Sequence, residues 1–98
     1  VTYQKIAKLN LLKTITTTIE FLSRSEESDW CSTSPELAAT ELRNAIDRIF
    51  GKSEIKASDI NYLFGPTGPL QEIAMSNGWY DEYLILAEEW DATKDQIA

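Results

Sequence analysis

Apolar positions near the start of the chain recur three and four residues apart. Ile6, Leu9, Leu12, Ile15, Ile19 and Leu22 form such a series, and the spacing predicts an amphipathic helix over residues 3–24. One signal runs against it. The run 14-TITTTI-19 is β-branched and leans toward strand. Strict alternation ends with that run while helical spacing continues on both sides, so helix is the reading, with Thr14 to Thr18 its weakest part.

The polar, serine-rich stretch 23-SRSEESDWCSTS-34 reads as a loop carrying one aromatic, Trp30. At 34-SPEL-37 a helix starts. Ser34 caps it, Pro35 takes the first helical position where its missing N–H costs nothing, and Glu36 complements the dipole. Leu37, Ala38, Leu42, Ala45, Ile46, Ile49 and Phe50 follow at helical spacing, and Gly51 is a natural stop. A short helix is expected from Ser58 or Asp59, burying Ile60, Leu63 and Phe64 and ending at Gly65.

Beyond a corner made of Gly65, Pro66, Thr67 and Gly68, a helix begins with Pro69, turns Leu70, Ile73 and Ala74 inward, and stops at Asn77-Gly78. The last helix is expected over Trp79 to Thr93, with Tyr80, Tyr83, Leu84, Ala87 and Trp90 or Asp91 along one side. Every element reads helical and every connection is short. The expected fold is a single all-α domain over residues 1–98, a compact bundle of four to five short helices joined by Gly/Pro corners.

Charge sharpens this picture. Sixteen acids against nine bases leave the 98 residues at −7. Lys5, Lys8, Lys13 and Arg24 against Glu20 put residues 1–24 at +3, whereas seven acids against Lys94 alone put residues 69–98 at −6. An acidic surface repels nucleic acid and anionic membranes and attracts basic proteins. Lys8, Asn10, Lys13 and Glu20 break the longest apolar-leaning run well short of a membrane span or a signal peptide. Val1 in place of Met leads to the expectation of a trimmed upstream piece. The single cysteine, Cys31, rules out an internal disulfide and fits a reducing cytoplasm.

The composition also narrows the chemistry. The chain has no histidine, which removes the commonest general base and metal ligand together with any Ser-His-Asp or Cys-His constellation. Cys31 lies among Glu26, Glu27 and Asp29, which blunt it as a nucleophile. The glycine-proline corner lacks the spacing and lysine of a phosphate loop, and Pro66 and Pro69 lack the N–H groups that would cradle a phosphate. The corner residues Gly65, Pro66, Gly68, Pro69 and Gly78 therefore read as structural punctuation. Glu88, Asp91 and Asp95 can share a helix face, but no calcium-loop spacing accompanies them. Neither a metal nor a cofactor is expected.

The stretch 79-WYDEYLILAEEWDA-92 interleaves four large aromatics with five acids. Two readings stand. All four rings tie the helix into the core, or part of their area stays at the surface, rimmed by carboxylates, as protein contact surfaces favour. The second makes Trp79, Tyr80, Asp81, Glu82, Tyr83, Glu88, Glu89, Trp90 and Asp91 the candidate partner-binding residues.

The order of features resembles a family of small bacterial helical proteins of unknown function. The resemblance rests on Trp30, then Leu42, Ile46 and Ile49, then the pattern F-G-x-x-G-x-L-x-[DE] at Phe64, Gly65, Gly68, Leu70 and Glu72, and it covers roughly residues 30–87. The chain departs from the plainer glycine-rich corner at Pro66-Thr67. The resemblance implies a small cytoplasmic helical domain and transfers no catalytic residue. Some acidic proteins of this kind look like immunity or antidote proteins, which block a basic toxin by charge and shape. The leading expectation is a non-enzymatic, acidic interaction module with a basic protein partner. The alternatives are a structural or regulatory homo-oligomeric subunit using the same helix and, behind it, a small carboxylate-dependent enzyme.

Overall fold

A computed structural model describes residues 3–28, 31, 33–50, 63–64 and 68–97. Among them are four helices and no strand: α1 (Tyr3–Ser23), α2 (Pro35–Phe50), α3 (Pro69–Asn77) and α4 (Tyr80–Ile97). The radius of gyration, 13.0 Å, is that of a close-packed chain of about 100 residues. The expected short helix from Ser58 or Asp59 to Gly65 lies mostly outside the described residues. Of its expected buried residues, Leu63 and Phe64 form a buried turn. Gly65, Pro66 and Thr67 also lie outside them.

Helix α1 packs against both α2 and α4, and α3 closes the end of the bundle against α4. The α1–α4 pair is antiparallel. Phe21 near the end of α1 stacks on Trp79 at the head of α4, with ring centres 5.0 Å apart. Thr14, two turns earlier, meets Glu89, nearly three turns later.

The first helix forms as expected, but its buried face differs from the expected stripe. Leu11, Thr14, Ile15, Thr18 and Leu22 point inward, while Ile6 and Leu9 are 49% and 54% exposed. The threonines enter the core because a helical hydroxyl can satisfy itself on the preceding turn. Thr18 Oγ1 donates to the Thr14 carbonyl at 2.8 Å. Thr14 Oγ1 lies 3.1 Å from both the Asn10 carbonyl and Glu89 Oε2, sharing one proton between them. A threonine bonded in this way occupies nearly the shape of valine and brings no orphan polar atom.

Helix α2 starts where the sequence places it. The Leu37 N–H donates to Ser34 Oγ at 3.1 Å and the Ala38 N–H to the Ser34 carbonyl at 3.0 Å. Ala38, Ala39, Leu42 and Ala45 face the core, whereas Leu37 faces solvent. The small alanines allow α2 to approach α1 closely.

The α3–α4 corner is held by Gly78, whose φ of 78° is the left-handed conformation that glycine adopts without strain. The Trp79 N–H donates to the Ala74 carbonyl at 3.0 Å, closing α3. Gly68 precedes α3 in an extended conformation without a side-chain cap, and Pro69 is buried as the first helical residue. The α1–α2 connection is strapped onto this corner. Asn77 Oδ1 accepts from the Glu26 N–H at 2.8 Å, and Asn77 Nδ2 donates to the Glu26 carbonyl at 3.2 Å and to the Ile73 carbonyl at 3.0 Å. One amide side chain thus ties the α1–α2 connection to the last turn of α3.

Candidate interaction surface on the last helix

Trp79, Tyr83, Leu86, Trp90 and Thr93 step along α4 by four, three, four and three residues, and all are buried. That line sets the rotation of the helix. Trp79 stacks on Phe21, and its Nε1–H donates to Ser25 Oγ at 2.9 Å. Ser25 in turn donates to the Phe21 carbonyl at 2.8 Å. Trp90 stacks on Phe64 with ring centres 5.5 Å apart. The Tyr83 hydroxyl donates to the Phe64 carbonyl at 3.0 Å. Burial pushes its pKa above the ordinary tyrosine value, with Tyr80 and Asp91 adding to the effect. The hydroxyl therefore stays protonated and keeps its role as donor.

Trp79, Tyr83 and Trp90 are thus core residues and cannot serve as surface anchors while the bundle is folded. The expected inward line through Tyr80 and Leu84 is likewise corrected. With Trp79 seated on Phe21, positions one and five residues further on rotate toward solvent. Tyr80 is 36% exposed, Leu84 47% and Ile85 57%. Leu86, absent from the expected line, takes the inward place.

The opposite face of α4 is what remains for a partner. Tyr80, Leu84 and Ile85 form a short apolar stripe on its first two turns. Asp81, Glu82, Glu88 and Asp91 are exposed around it, while the Glu89 carboxylate reaches across to Thr14 Oγ1 of α1. Asp81 and Glu82 sit in the first turn, where the helix dipole favours anions. Of the candidate residues, the structure brings Tyr80, Asp81, Glu82, Glu88 and Asp91 to this surface, turns the Glu89 carboxylate toward Thr14 of α1, and assigns the other three rings to packing. Ile85 and Leu84 were the sequence signal for it: two large aliphatics side by side cannot both join a narrow buried line.

Elsewhere, a groove of about 520 Å³ opens between the end of α1 and the start of α2. Leu22, Pro35 and Ala39 form its apolar wall, and Glu27, Glu36 and Arg43 stand at the rim. Among the described residues no group of three or more acidic, cysteine or histidine side chains is placed to hold a metal ion. Glu88 and Asp91 are exposed, and the Asp95 side chain lies outside the described set. Cys31 is half-buried, its Sγ 3.6 Å from Ser76 Oγ. No helix among the described residues is long and apolar enough to cross a membrane.

No family model, no curated protein and no solved structure matches this chain. The resemblance read from Trp30, Leu42, Ile46, Ile49, Phe64, Gly65, Gly68, Leu70 and Glu72 therefore rests on those residues alone.

Proposed function

We propose that this chain is a non-enzymatic interaction module that docks onto a basic protein through the outer face of α4. One observation carries the reading. Three large apolar side chains, Tyr80, Leu84 and Ile85, lie exposed on a helix face whose surroundings are carboxylates, in a segment with a net charge of −6. Exposed aliphatics within a ring of one charge sign suit a partner that brings apolar contact area and opposite charge together. The carboxylates speed encounter and orient it, and the apolar stripe supplies area removed from water. The sharpest version is an antidote that occludes a basic toxin, for which the product of an adjacent reading frame is the probe.

The test is co-purification from the source cells at moderate ionic strength, with wild type beside two surface variants, Leu84→Ser/Ile85→Ser and Glu88→Lys. All three positions are exposed, so the variants keep the fold. The reading expects one stoichiometric protein of pI above about 9, retained by wild type and lost from both variants. Equal recovery by all three, or recovery of no such protein, refutes it.

A further inference from the structure

Of the four asparagines in the chain, only Asn77 precedes a glycine. An asparagine so placed readily loses its side-chain nitrogen, because glycine has no Cβ to shield its own backbone nitrogen from the neighbouring amide carbon. In this chain the same side chain straps the α1–α2 connection to the end of α3. A chemically fragile amide thus holds the contact between residues 26 and 77.

Three features of the corner hold the reaction off. Asn77 is the last residue of α3 and must leave its helical backbone before its amide carbon can meet the Gly78 nitrogen. The Gly78 N–H is engaged, donating to the Ala74 carbonyl. The nitrogen that would leave, Nδ2, donates to the Glu26 and Ile73 carbonyls at 3.2 and 3.0 Å. Gly78 is exposed, so water is at hand as soon as the corner opens. Opening and chemistry are therefore coupled: the bonds that make the strap are the bonds that protect it.

We propose that Asn77 is a self-modification site, and that its conversion releases the strap for good. On opening, the Gly78 nitrogen gives its proton to solvent and bonds to Asn77 Cγ, and the Cγ–Nδ2 bond breaks to release ammonia. Water then opens the cyclic imide. Cleavage at Cγ leaves aspartate, and cleavage at the main-chain carbonyl carbon leaves isoaspartate. One water enters and one ammonia leaves, with no other reactant. Neither product restores the strap. A carboxylate has no proton to give the Glu26 and Ile73 carbonyls and faces their oxygens instead. It also places a negative charge at the C-terminal end of α3, where the dipole opposes it, in a chain already at −7. Isoaspartate further lengthens the main chain by one carbon just before Trp79, whose ring seats α4 on Phe21.

The guard is tested on the full chain at mildly alkaline pH, folded in buffer and unfolded in guanidinium chloride. Peptide mapping by mass spectrometry reads the replacement of NH by O at residue 77. Each hydrogen bond of the strap favours the closed corner about fivefold, so conversion is expected on the order of a hundredfold slower in the folded chain than in the unfolded one. Glu26→Pro removes the N–H that Asn77 Oδ1 accepts and leaves the Asn-Gly step intact. It should convert faster than wild type in buffer and at the same rate in denaturant. Asn77→Asp supplies the aspartate product directly and reads the release. Trypsin should cut it after Arg24, where α1 gives way to the connection, about tenfold faster than wild type, while cleavage at Arg43 within α2 rises less. Circular dichroism checks that both variants are folded, and the comparison of folded with unfolded wild type stands without them. The proposal is overturned by an Asn77 that stays intact in denaturant, or by equal conversion in both states. It is equally overturned by a folded Glu26→Pro chain that converts no faster than wild type, or by a folded Asn77→Asp chain cut after Arg24 no faster than wild type.

Discussion

Replacing Trp79 with alanine should unfold much of the population rather than strip a binding surface. The ring is 5% exposed, stacks on Phe21 at 5.0 Å and donates to Ser25 Oγ. Truncating a buried tryptophan to alanine costs about 3–5 kcal/mol in transfer and cavity terms. Loss of the ring pair accounts for about 1 kcal/mol of that. The Ser25 hydroxyl still donates to the Phe21 carbonyl and is half-buried, so losing the indole N–H adds little. A domain of this length is stable by only about 5–15 kcal/mol, so a loss near 4 kcal/mol removes a large share. Urea unfolding followed by far-ultraviolet circular dichroism reads this directly. With a slope of about 1.3 kcal/mol/M, typical for a small domain, the midpoint should fall by about 3 M. Trp79→Phe keeps a stacked ring and should lose about 1–2 kcal/mol. Leu84→Ser on the solvent face should stay within about 0.5 kcal/mol. A Trp79→Ala midpoint within experimental error of wild type, or a Leu84→Ser loss as large as that of Trp79→Ala, refutes the orientation of α4.

Two further outcomes test other parts of the structure. Gly78→Ala should cost about 1 kcal/mol in a thermal melt, since an added Cβ meets nothing within 4 Å and only the positive φ resists it; a neutral result removes the left-handed corner. Tyr83→Phe should destabilise by about 1 kcal/mol at neutral pH by orphaning the Phe64 carbonyl. Its pH dependence has a definite sign. The folded-state pKa lies above the unfolded value, so this contribution is fully present below the unfolded pKa and is lost as pH rises through the folded one. The wild type should therefore lose stability on the alkaline side of about pH 10, and the variant should lose less. Parallel alkaline profiles refute the burial of that hydroxyl.

Helix type was legible in the sequence, but helix rotation was only partly so. The start of α2 could be read because Ser34, Pro35 and Glu36 act locally, through a cap, a fixed φ and a charge near the dipole. In α1 the apolar residues ring the helix, so several stripes fit the spacing, and the true one contains Thr14 and Thr18. Hydropathy counts a threonine as half polar, whereas its bond to the preceding turn makes it behave as a β-branched apolar residue. The rotation of α4 is a tertiary fact, set by Phe21 some sixty residues away in sequence. The four-three-four-three step through Trp79, Tyr83, Leu86, Trp90 and Thr93 was present in the sequence, but Tyr80, Leu84 and Ala87 offered a competing line. The acidic rim needed no such information, since charged side chains at a helix surface face water in either rotation.

The antiparallel seating of α1 on α4 joins the first and the last of the described helices, and this bears on how the protein folds. Bringing them together closes the segment 24–79 as one loop, at an entropic cost of about 3.5 kcal/mol before any contact repays it. During synthesis α1 emerges with its inward Thr14, Ile15 and Thr18 row unmatched until α4 follows. The α1–α4 interface therefore forms only after the segment between the two helices has been made. A chain truncated before Trp79 would leave the face of α1 that receives α4 open to water. The clamp of Asn77 on Glu26 holds the neck of that loop closed once it has formed.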